Sequence, residues 1–539
     1  MPILESRVDS RSDEFRRNRE EMLARIAEFR DLEEKVRNAS NSKRDLFARR
    51  GQLLPRERLA LLLDRGAPFL ELSTLAGLGM HDDDGKEAVL GGGVIVGIGQ
   101  VAGVRCLVYA NDSGIKGGTS TPMGSEKTLR SQAIALTEKL PIVSLIQSGG
   151  ANLLYQAEMF IKGGRRFANQ ARLSAAGIPQ VTVVHGNSTA GGAYIPGMSD
   201  YVIMVRNQAR VFLAGPPLLK AATGEIAGEE ELGGADMHGS IAGTAEYLAE
   251  DDADGIAIAR QVMAALRWND ALPPRPERSF KPPRYDIDEL CGVVPTDYRK
   301  PYDCREVIAR IVDDSDFLEF KAAFDPWTIC GHAAIEGQRC GLIGNNGPIT
   351  NRGANKAAQF IQLCCQSGTP LIFLQNTTGY MVGVEAETGG MVKHGAKMIQ
   401  AVATATVPKI TLHIGASFGA GNYGMCGRGF DPRFIFSWPN ARIAVMGGEQ
   451  AAGTLVTVRE AADRREGRET DRAKLEAMRD SVIAQFDRES TALYATARLW
   501  DDGLIDPRDT RRVLGLCLAI CNEAEVRPLR PNSFGVARM

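Results

Sequence analysis

The stretch His185-Gly-Asn-Ser-Thr-Ala-Gly-Gly-Ala-Tyr194 decides the fold. It follows residues 177–184, a short apolar run with β-branched residues, which is typical of a buried strand. Gly191 and Gly192 then end the strand, and a new element begins near Ala193. Glycines at such a corner let a ligand approach the backbone closely, and two adjacent peptide N–H groups can stabilise one negatively charged oxygen. The stretch therefore predicts an oxyanion site built from backbone.

The same stretch recurs 229 residues later, in residues 407–423, without a gap. The residues that recur at this spacing are prolines, threonines, glycines, serines and tyrosines, in the pairs Pro141/Pro370, Pro179/Pro408, Thr182/Thr411, Gly186/Gly415, Ser188/Ser417, Gly192/Gly421 and Tyr194/Tyr423. Ordered matches of this kind predict two copies of one α/β unit. The second oxyanion corner would then use Ala420 and Gly421. In one copy alone, the glycines could equally serve only tight packing of strand against helix.

Composition excludes several classes of function. The 539 residues include 64 Lys and Arg and 66 Asp and Glu, a net charge of −2 that gives no sign of a nucleic-acid partner. The ten cysteines form no Cys-x-x-Cys pair, so neither a zinc site nor a disulfide framework is indicated, and no metal is expected. The N-terminal residues lack an apolar signal region, and no apolar segment reaches the ~18 residues of a membrane span. We expect a cytoplasmic enzyme without a membrane partner.

Local patterns place further elements along the chain. Apolar residues at helical spacing and turn residues predict helices over residues 13–37, 55–63, 123–138, 167–176, 356–365 and 470–500, with a last helix after residue 511. Glycines flanking apolar runs predict one hairpin in each copy, over residues 91–110 and 331–344. The Pro-rich residues 269–284 form a semi-rigid connector between the copies.

A few ionisable side chains remain as candidates for chemistry. His185 and His413 each end a strand beside a loop, but the repeat does not superpose them, and such histidines are more often structural than acid–base groups. Four lysines could contact phosphates or could equally lie on a solvated face, namely Lys220, Lys356, Lys393 and Lys397.

Several long motifs stand out along the chain, namely Ser188-Thr-Ala-Gly-Gly-Ala-Tyr194, Phe212-Leu-Ala-Gly-Pro-Pro-Leu218, Ala222-Thr-Gly-Glu225, Leu232-Gly-Gly-Ala-Asp-Met-His238, Asn376-Thr-Thr-Gly-Tyr-Met381 and Gly424-Met-Cys-Gly427. With these motifs the chain resembles one known family, the β subunits, or carboxyltransferase components, of biotin-dependent acyl-CoA carboxylases. The likeness runs from about Gln52 to the C-terminus and is greatest to the methylcrotonyl-CoA and geranyl-CoA branch.

The resemblance implies an α/β fold of two tandem crotonase-like (ClpP/crotonase) β-β-α superhelix domains. The expected organisation is an N-terminal helical segment over residues 1–50, an acyl-CoA-binding domain over 51–272, a Pro-rich linker over 273–289 and a biotin-binding domain over 290–539. Carboxybiotin at the second corner would release carbon dioxide, and the biotin enolate would take a proton from the acyl-CoA. The dienolate at the first corner would then attack carbon dioxide through its γ-carbon, so each corner would stabilise one developing oxyanion.

The resemblance also assigns residues to roles. The backbone oxyanion sites would be Gly191 with Gly192 and Ala420 with Gly421. The acyl-CoA would be bound by Ser188, Thr189, Ala190, Ala193, Phe167, Ala168 and Gly150. Biotin would be bound by Phe418, Gly419, Asn422, Thr377 and Gly379.

The biotin itself must come from another chain, because this one lacks an Ala-Met-Lys-Met biotinylation motif. A separate α subunit is expected to carry the biotin and to use the ATP, bicarbonate and Mg. The resemblance implies a homo-oligomeric β6 core within an α6β6 assembly, with each active site between the N-terminal domain of one subunit and the C-terminal domain of another.

The acyl group is predicted from one position. Methylcrotonyl enzymes usually carry an aromatic pair before Asn-Gln-Ala and a longer preceding loop, whereas here the loop is shorter and Ala168 stands where a larger ring is usual. A smaller side chain leaves room for a longer chain, so we expect geranyl-CoA or a similar 3-methyl-branched enoyl-CoA. The alternatives are 3-methylcrotonyl-CoA as substrate, a biotin-dependent decarboxylase or transcarboxylase subunit, and a non-catalytic scaffold.

Overall fold

The computed structural model describes residues 3–81, 89–274 and 279–531. The chain divides into two compact units, which we name the N unit (residues 31–275 and 522–539) and the C unit (residues 1–30 and 276–521). Residues 275–278 of the expected linker lie outside the described residues. The functional domain boundaries expected from the resemblance stay predictions.

The first half of the chain, from α1 to α10, supplies nearly all of the N unit. Its elements are α1 Asp13–Asn38, α2 Arg44–Arg49, α3 Pro55–Leu62, β1 Leu70–Glu71, β2 Val94–Val101, β3 Val104–Asn111, α4 Pro122–Thr137, β4 Ile142–Ser148, α5 Gln156–Ala175, β5 Gln180–Thr189, α6 Tyr194–Gly197, β6 Tyr201–Val205, β7 Arg210–Phe212, α7 Pro216–Thr223, α8 Glu229–Gly233, α9 Ala235–Ser240, β8 Tyr247–Ala249 and α10 Asp252–Ala265.

The second half forms the C unit in the same style. Its elements are α11 Leu290–Val293, α12 Cys304–Ile311, β9 Leu318–Glu319, β10 Thr328–Ile335, β11 Gln338–Asn345, α13 Asn351–Ser367, β12 Leu371–Thr377, α14 Val384–Thr388, α15 Met391–Thr404, β13 Lys409–Phe418, α16 Gly419–Gly424, β14 Phe434–Ser437, β15 Arg442–Ala444, α17 Gly448–Arg465, α18 Arg472–Glu489, α19 Ala492–Ala497 and α20 Thr510–Val526. The boundary between the units falls within α1 and within α20.

Each unit contains one mixed sheet, and the two sheets share the same strand order except that the N-unit sheet has one further edge strand, β8. Over the described residues, the N-unit strands follow the order β1-β2-β3-β4-β5-β6-β8, and β7 pairs with β5. The C-unit strands follow the order β9-β10-β11-β12-β13-β14, and β15 pairs with β13. In both sheets the hairpin is antiparallel, and the strands from its second member onward are parallel.

The internal repeat is confirmed in detail. Strands β4 and β12 are seven residues each and lie 229 positions apart, as do the ten-residue strands β5 and β13. Both β4–β5 and β12–β13 shift register near their carboxyl ends, after which Ser148 pairs with Ser188 and Thr377 pairs with Ser417. The predicted α/β fold class with two tandem repeated units is therefore confirmed.

Most predicted elements are found, and three predicted helices are wrong in extent. The helix expected over 356–365 is α13, which already begins at Asn351, after the capping residue Thr350. The helix expected over 167–176 is the second half of α5, which begins at Gln156 because Gly163 and Gly164 do not interrupt it. The single helix expected over 470–500 is two helices, α18 and α19. The hydroxyl of Thr491 accepts a hydrogen bond from the Tyr494 N–H and so caps a new start.

Buried apolar side chains hold helices against each sheet. In the N unit, Val143 and Val183 of the central strands pack with Leu62 of α3 and Ile256 of α10. In the C unit, one cluster includes Phe373 of β12 with side chains of α13 and α15, namely Phe360, Ile361, Met398 and Val402. This packing fixes the central strands, so their carboxyl ends have defined positions. Among the described residues no helix is long and apolar enough to cross a membrane.

Candidate active site

The first corner lies where β5 ends. Ala190 adopts a left-handed conformation with φ of 52°, and a helical turn over Ala190–Ala193 leads into α6. Gly191 is exposed whereas Gly192 is buried. The Ser188 hydroxyl donates a hydrogen bond of 2.9 Å to the Gly192 carbonyl and so ties the turn to the strand. The first backbone N–H groups of a helical turn have no partner within the turn and can bind an anion.

The end of β4 lies against this corner. Gly150 has φ of 85°, and its N–H donates to the Ser148 hydroxyl at 3.2 Å. A Cβ atom on Gly150 would lie 3.4 Å from the Thr189 carbonyl oxygen and 3.7 Å from the Ala190 Cβ. The structure therefore brings together Gly150, Thr189 and Ala190, as expected for one site.

Helix α5 supplies the apolar side of the corner. The Phe167 ring lies 3.8 Å from where a Cβ of Gly191 would be, and it contacts the Tyr194 ring edge to face at 6.0 Å. Ala168, the next residue, is half-buried, and Ala193 is buried beneath the corner. Because the Ala168 side chain is small, it leaves free space on the surface of α5 beside Phe167.

The second corner lies where β13 meets α16. Gly419 has φ of 54°, Ala420 is exposed and Gly421 is buried. A Cβ atom on Gly421 would lie 2.9 Å from both the Gly379 Cα and the Thr377 Cγ2, so no larger residue fits without movement. The predicted Thr377, Gly379 and Gly421 thus meet in one place.

Polar side chains support this corner from below. The Asn422 amide donates to the Ser417 hydroxyl at 2.7 Å, and that hydroxyl donates to the side chain of Gln375. Phe418 ends β13 with its ring edge to face against Tyr298 at 5.2 Å. Ser417 lies in the Gly-x-Ser-x-Gly spacing Gly415–Gly419, but its hydroxyl is buried and hydrogen-bonded, so it supports the corner and is not an exposed nucleophile.

The two corners share two features of backbone geometry at equivalent positions. Ala190 and Gly419, 229 residues apart, have φ of 52° and 54°. The N–H groups of Gly150 and Gly379, also equivalent, each donate to the hydroxyl two residues earlier at 3.2 Å. Ala190 shows that the left-handed turn is imposed by the corner and not by glycine alone. The structure therefore contains the same backbone arrangement twice, once at each corner.

His185 is fully buried away from solvent. Its Nδ1 lies 2.7 Å from the Asp252 carboxylate, which also accepts a 2.8 Å hydrogen bond from the Arg58 guanidinium. Burial, followed by the Arg58 charge, lowers the pKa of His185 to about 4, so the ring is neutral at pH 7. A buried neutral ring held by an ion pair has a structural role.

His413 is buried in the C unit in a different setting. Its Nδ1 lies 2.9 Å from the Ser437 hydroxyl, which donates to the Asp501 carboxylate at 2.6 Å. Burial lowers the pKa of His413 to about 3 and raises that of Asp501 to about 6. Neither His185 nor His413 shares a described hydrogen bond with the amides of the two corners.

Two buried lysines complete the framework, and the prediction that one of them, Lys356, contacts phosphate or solvent is wrong. Lys356 does not contact phosphate or solvent, because it is fully buried and its ammonium donates to the Asp325 carbonyl at 2.9 Å. Lys127 is its equivalent, 229 residues earlier, and is also buried. The spacing Thr-x-x-Gly-x-x-Lys, at Thr121–Lys127 and Thr350–Lys356, is the signal that could have found both.

A polar cavity of about 540 Å³ lies within the N unit beside the ends of β4 and β5. Its lining includes Arg50, Gln52, Ser113, Gln147 and Gln208. No group of three or more metal-ligating side chains occurs among the residues that the structure describes.

Comparison with known proteins identifies the family to which these corners belong. The profile of the carboxyl transferase domain matches residues 47–533. The chain belongs to the carboxyl transferase family. A probable methylcrotonoyl-CoA carboxylase β chain of Drosophila melanogaster is 46% identical over all of this chain and 95% of its own length. A probable biotin-dependent acyl-coenzyme A carboxylase β2 subunit of Mycobacterium tuberculosis is 51% identical over 91% of each chain.

The crystal structure of the geranyl-CoA carboxylase β subunit of P. aeruginosa has the same fold as this family member. It superposes with a TM-score of 0.94 at 61% identity and covers the whole of both chains. The predicted family and the prediction that the chain is an acyl-CoA carboxyltransferase are confirmed.

Proposed function

We propose that this chain moves the carboxyl group of carboxybiotin to the γ-carbon of a 3-methyl-branched α,β-unsaturated acyl-CoA, with geranyl-CoA as its preferred substrate. The observation that carries the proposal is the duplicated backbone corner, since the reaction develops negative charge on two oxygens, one in each reactant. A site preorganised for each oxygen lowers the barrier where charge appears.

The first corner is assigned to the acyl-CoA. The N–H groups of Gly191 and Gly192 stabilise the thioester oxygen as it becomes an enolate. One such donor is worth ~2.7–4 kcal/mol of barrier. The residues that shape this part of the site are Ser188, Thr189, Ala190, Ala193, Phe167, Ala168 and Gly150.

The second corner is assigned to biotin, and its uncharged residues fit a neutral ureido ring. Gly421 is buried, and its lack of a Cβ lets it pack closely against Thr377 and Gly379, which fixes the position of its amide. The Ala420 and Gly421 N–H groups then stabilise the ureido oxygen, between Phe418, Gly419 and Asn422. When bound, biotin supplies the carboxyl group and the basic atom that the reaction needs.

We assign no histidine of this chain as the base of the reaction. His185 and His413 are buried, and burial holds the pKa of each well below its usual value, so neither is placed to exchange a proton with substrate. Within the described residues, the chain's contribution is then binding, orientation and stabilisation of charge.

The preference for a long acyl chain is supported by the surface of α5. Gly164 lies one turn before Ala168, and a Cβ on Gly164 would meet nothing within 4 Å. Another turn earlier, Phe160 and Ile161 are 81% and 77% exposed. Small residues followed by exposed apolar ones make a low apolar track that starts beside Phe167, and a terpenoid tail can lie along it.

The assembly and the partner are part of the same proposal. A separate α subunit carries the biotin and uses ATP, bicarbonate and Mg, and six copies of the present chain form the core of an α6β6 complex. The N unit of one copy and the C unit of another supply each site. The cytoplasmic location stays a prediction.

The test is a comparison of two thioesters. The chain, assembled with its biotin-carrying partner, is given ATP and labelled bicarbonate with either geranyl-CoA or 3-methylcrotonyl-CoA. We expect a kcat/KM at least tenfold higher for geranyl-CoA. Preference for the shorter thioester would overturn the substrate assignment. Carboxyl exchange between thioesters without ATP-dependent carboxylation would instead favour a transcarboxylase.

A further inference from the structure

We infer that Lys127 and Lys356 are positioning residues, each of which fixes the backbone segment that supports one of the two amide corners. The inference deepens the proposed function and rests on it for its kinetic consequences. Neither lysine lies at a corner, but a series of contacts connects each lysine to its corner.

In the N unit, Lys127 holds the loop before β2. Its ammonium donates to the Gly91 carbonyl at 3.2 Å and to the Val94 carbonyl at 2.8 Å. The same loop is held from α4 by Thr121, whose hydroxyl donates to the Gly92 carbonyl at 2.9 Å and accepts from the Gly124 N–H at 3.1 Å. Lys127 and Thr121 thus join the start of α4 to this loop.

The residue before Thr121 connects this joint to the first corner. The Ser120 N–H donates to the Gly150 carbonyl at 2.8 Å, and the Asn152 N–H donates back to the Ser120 carbonyl at 3.1 Å. Gly150 in turn packs against Thr189 and Ala190. A shift of the start of α4 is therefore transmitted to the corner through one paired backbone segment.

The C unit repeats this path at equivalent positions. The Lys356 ammonium donates to the Asp325 carbonyl at 2.9 Å, and the Thr350 hydroxyl donates to the Asp325 carboxylate at 2.7 Å. The Ile349 N–H donates to the Gly379 carbonyl at 2.9 Å. Gly379 then packs against Gly421, the buried glycine of the second corner. Lys356, Thr350, Ile349 and Gly379 lie 229 positions after Lys127, Thr121, Ser120 and Gly150.

The repeat indicates what the lysines serve. The two corners are assigned different ligands, so a feature present in both units serves what the corners share, which is the geometry of the amides. Burying an ammonium group is costly compared with burying an apolar side chain. Burial lowers the pKa of Lys127 to about 8, which shows that this cost is present here. A lysine at this position in both units, despite that cost, favours a role in the geometry that the two corners share.

The test replaces each lysine by methionine, which has similar length and no charge. Lys409→Met is the matched control, since Lys409 is also buried and donates to two carbonyls, those of Val402 and Phe430. It begins β13, at the opposite end of that strand from the corner. All three variants are assembled with the biotin-carrying partner.

Two readouts are expected to separate positioning from folding. In Lys127→Met, hydrogen–deuterium exchange should rise at least threefold over residues 147–152 and 186–194, and in Lys356→Met over residues 376–381 and 415–423. The kcat should fall about tenfold while KM changes less than twofold, because misplaced groups lose transition-state stabilisation more than ground-state binding. Lys409→Met should alter neither readout at the corners.

The inference is overturned if Lys127→Met and Lys356→Met lower the melting temperature as Lys409→Met does but leave exchange at the corners as in the wild type. The exchange measurement needs no substrate. If the wild type carboxylated neither thioester, the proposed function would fail, and exchange would still decide the role of the lysines.

Discussion

Asp252 is a buried carboxylate of the N unit, and it is the counter-ion of a buried arginine. It faces Arg58, whose side chain is 2% exposed, and the Nδ1 of His185. Burial acts to raise its pKa, but the hydrogen bond with His185 and the charges beside it hold that pKa below the usual value. The ion pair is therefore intact at neutral pH, and the neutral ring of His185 completes it.

Asp252→Asn should lower the free energy of unfolding by at least about 3 kcal/mol, because it leaves the Arg58 charge buried without a counter-ion. Urea titration measures this change. Asp236→Asn is the control, since Asp236 pairs with Arg206 at 3.0 Å but is 73% exposed, and such pairs contribute roughly 0–1 kcal/mol. Equal losses in the two variants would show that burial of the Arg58–Asp252 pair adds nothing.

The sequence predicts the residues of the two corners, but it does not predict buried contacts such as that between Asp252 and Arg58, and the reason is physical. Glycines and serines at a fixed spacing of 229 are visible in the sequence, and the structure places each at an equivalent point. Asp252 lies 67 residues after His185, and Arg58 lies farther still, so no local pattern predicts their contact. The prediction for Lys356 is wrong because a lone lysine is usually exposed, and its burial depends on the Asp325 carbonyl, 31 residues away.

Two corner glycines that are not equivalent in the repeat, Gly421 of the second corner and Gly191 of the first, differ in how much space surrounds them. A Cβ on Gly421 would meet Gly379 and Thr377 at 2.9 Å, whereas a Cβ on Gly191 would meet only the Phe167 ring at 3.8 Å. Gly421→Ala should therefore cost about 1–3 kcal/mol of stability. Gly191→Ala should change stability by less than about 0.5 kcal/mol. Thermal unfolding of both variants checks the difference, and an equal cost would contradict the geometry of the second corner.

Helix α5 carries the prediction on substrate choice. Ala168→Phe places a ring on the apolar track beside Phe167, where it should block only the longer acyl chain. The kcat/KM for geranyl-CoA should fall about 100-fold, whereas the kcat/KM for 3-methylcrotonyl-CoA should stay within threefold. Carboxylation rates with both thioesters measure the change. Gly163→Ala is the control, because a Cβ there meets nothing within 4 Å. Equal loss with both thioesters would remove α5 from substrate choice.

The sequence predicts the elements best where the same pattern occurs in both copies. Strands β4, β5, β12 and β13 match the repeated prolines and apolar runs, because each stretch has a second example at the same spacing. Helix α5 was predicted too short, since Gly163 and Gly164 weaken the helical signal that packing overrides. The break between α18 and α19 was missed because the cap at Thr491 is a single hydroxyl in a charged, helix-favouring stretch.

Across the whole chain, both units contain groups whose burial makes stability depend on pH. His185 in the N unit and His413 in the C unit have folded pKa values of about 4 and about 3, both below the unfolded value. Each ring is bound as the neutral form, so each contributes stability that is present above pH 6.5 and lost as pH falls. From pH 7.5 to 5.5 the loss is roughly 1 kcal/mol for each ring.

Asp501 acts in the opposite direction, and its replacement isolates that effect. Its folded pKa of about 6 lies above the unfolded value, so protonation stabilises the fold as pH drops. Between pH 7.5 and 5.5 this gain is on the order of 1 kcal/mol. Asp501→Asn cannot bind that proton, so its unfolding free energy should fall by roughly 1 kcal/mol more than that of the wild type over the same interval. Urea titrations at both pH values, with the exposed Asp480→Asn as control, measure the difference, and an unchanged or shallower dependence would show that Asp501 is already ionised at pH 5.5.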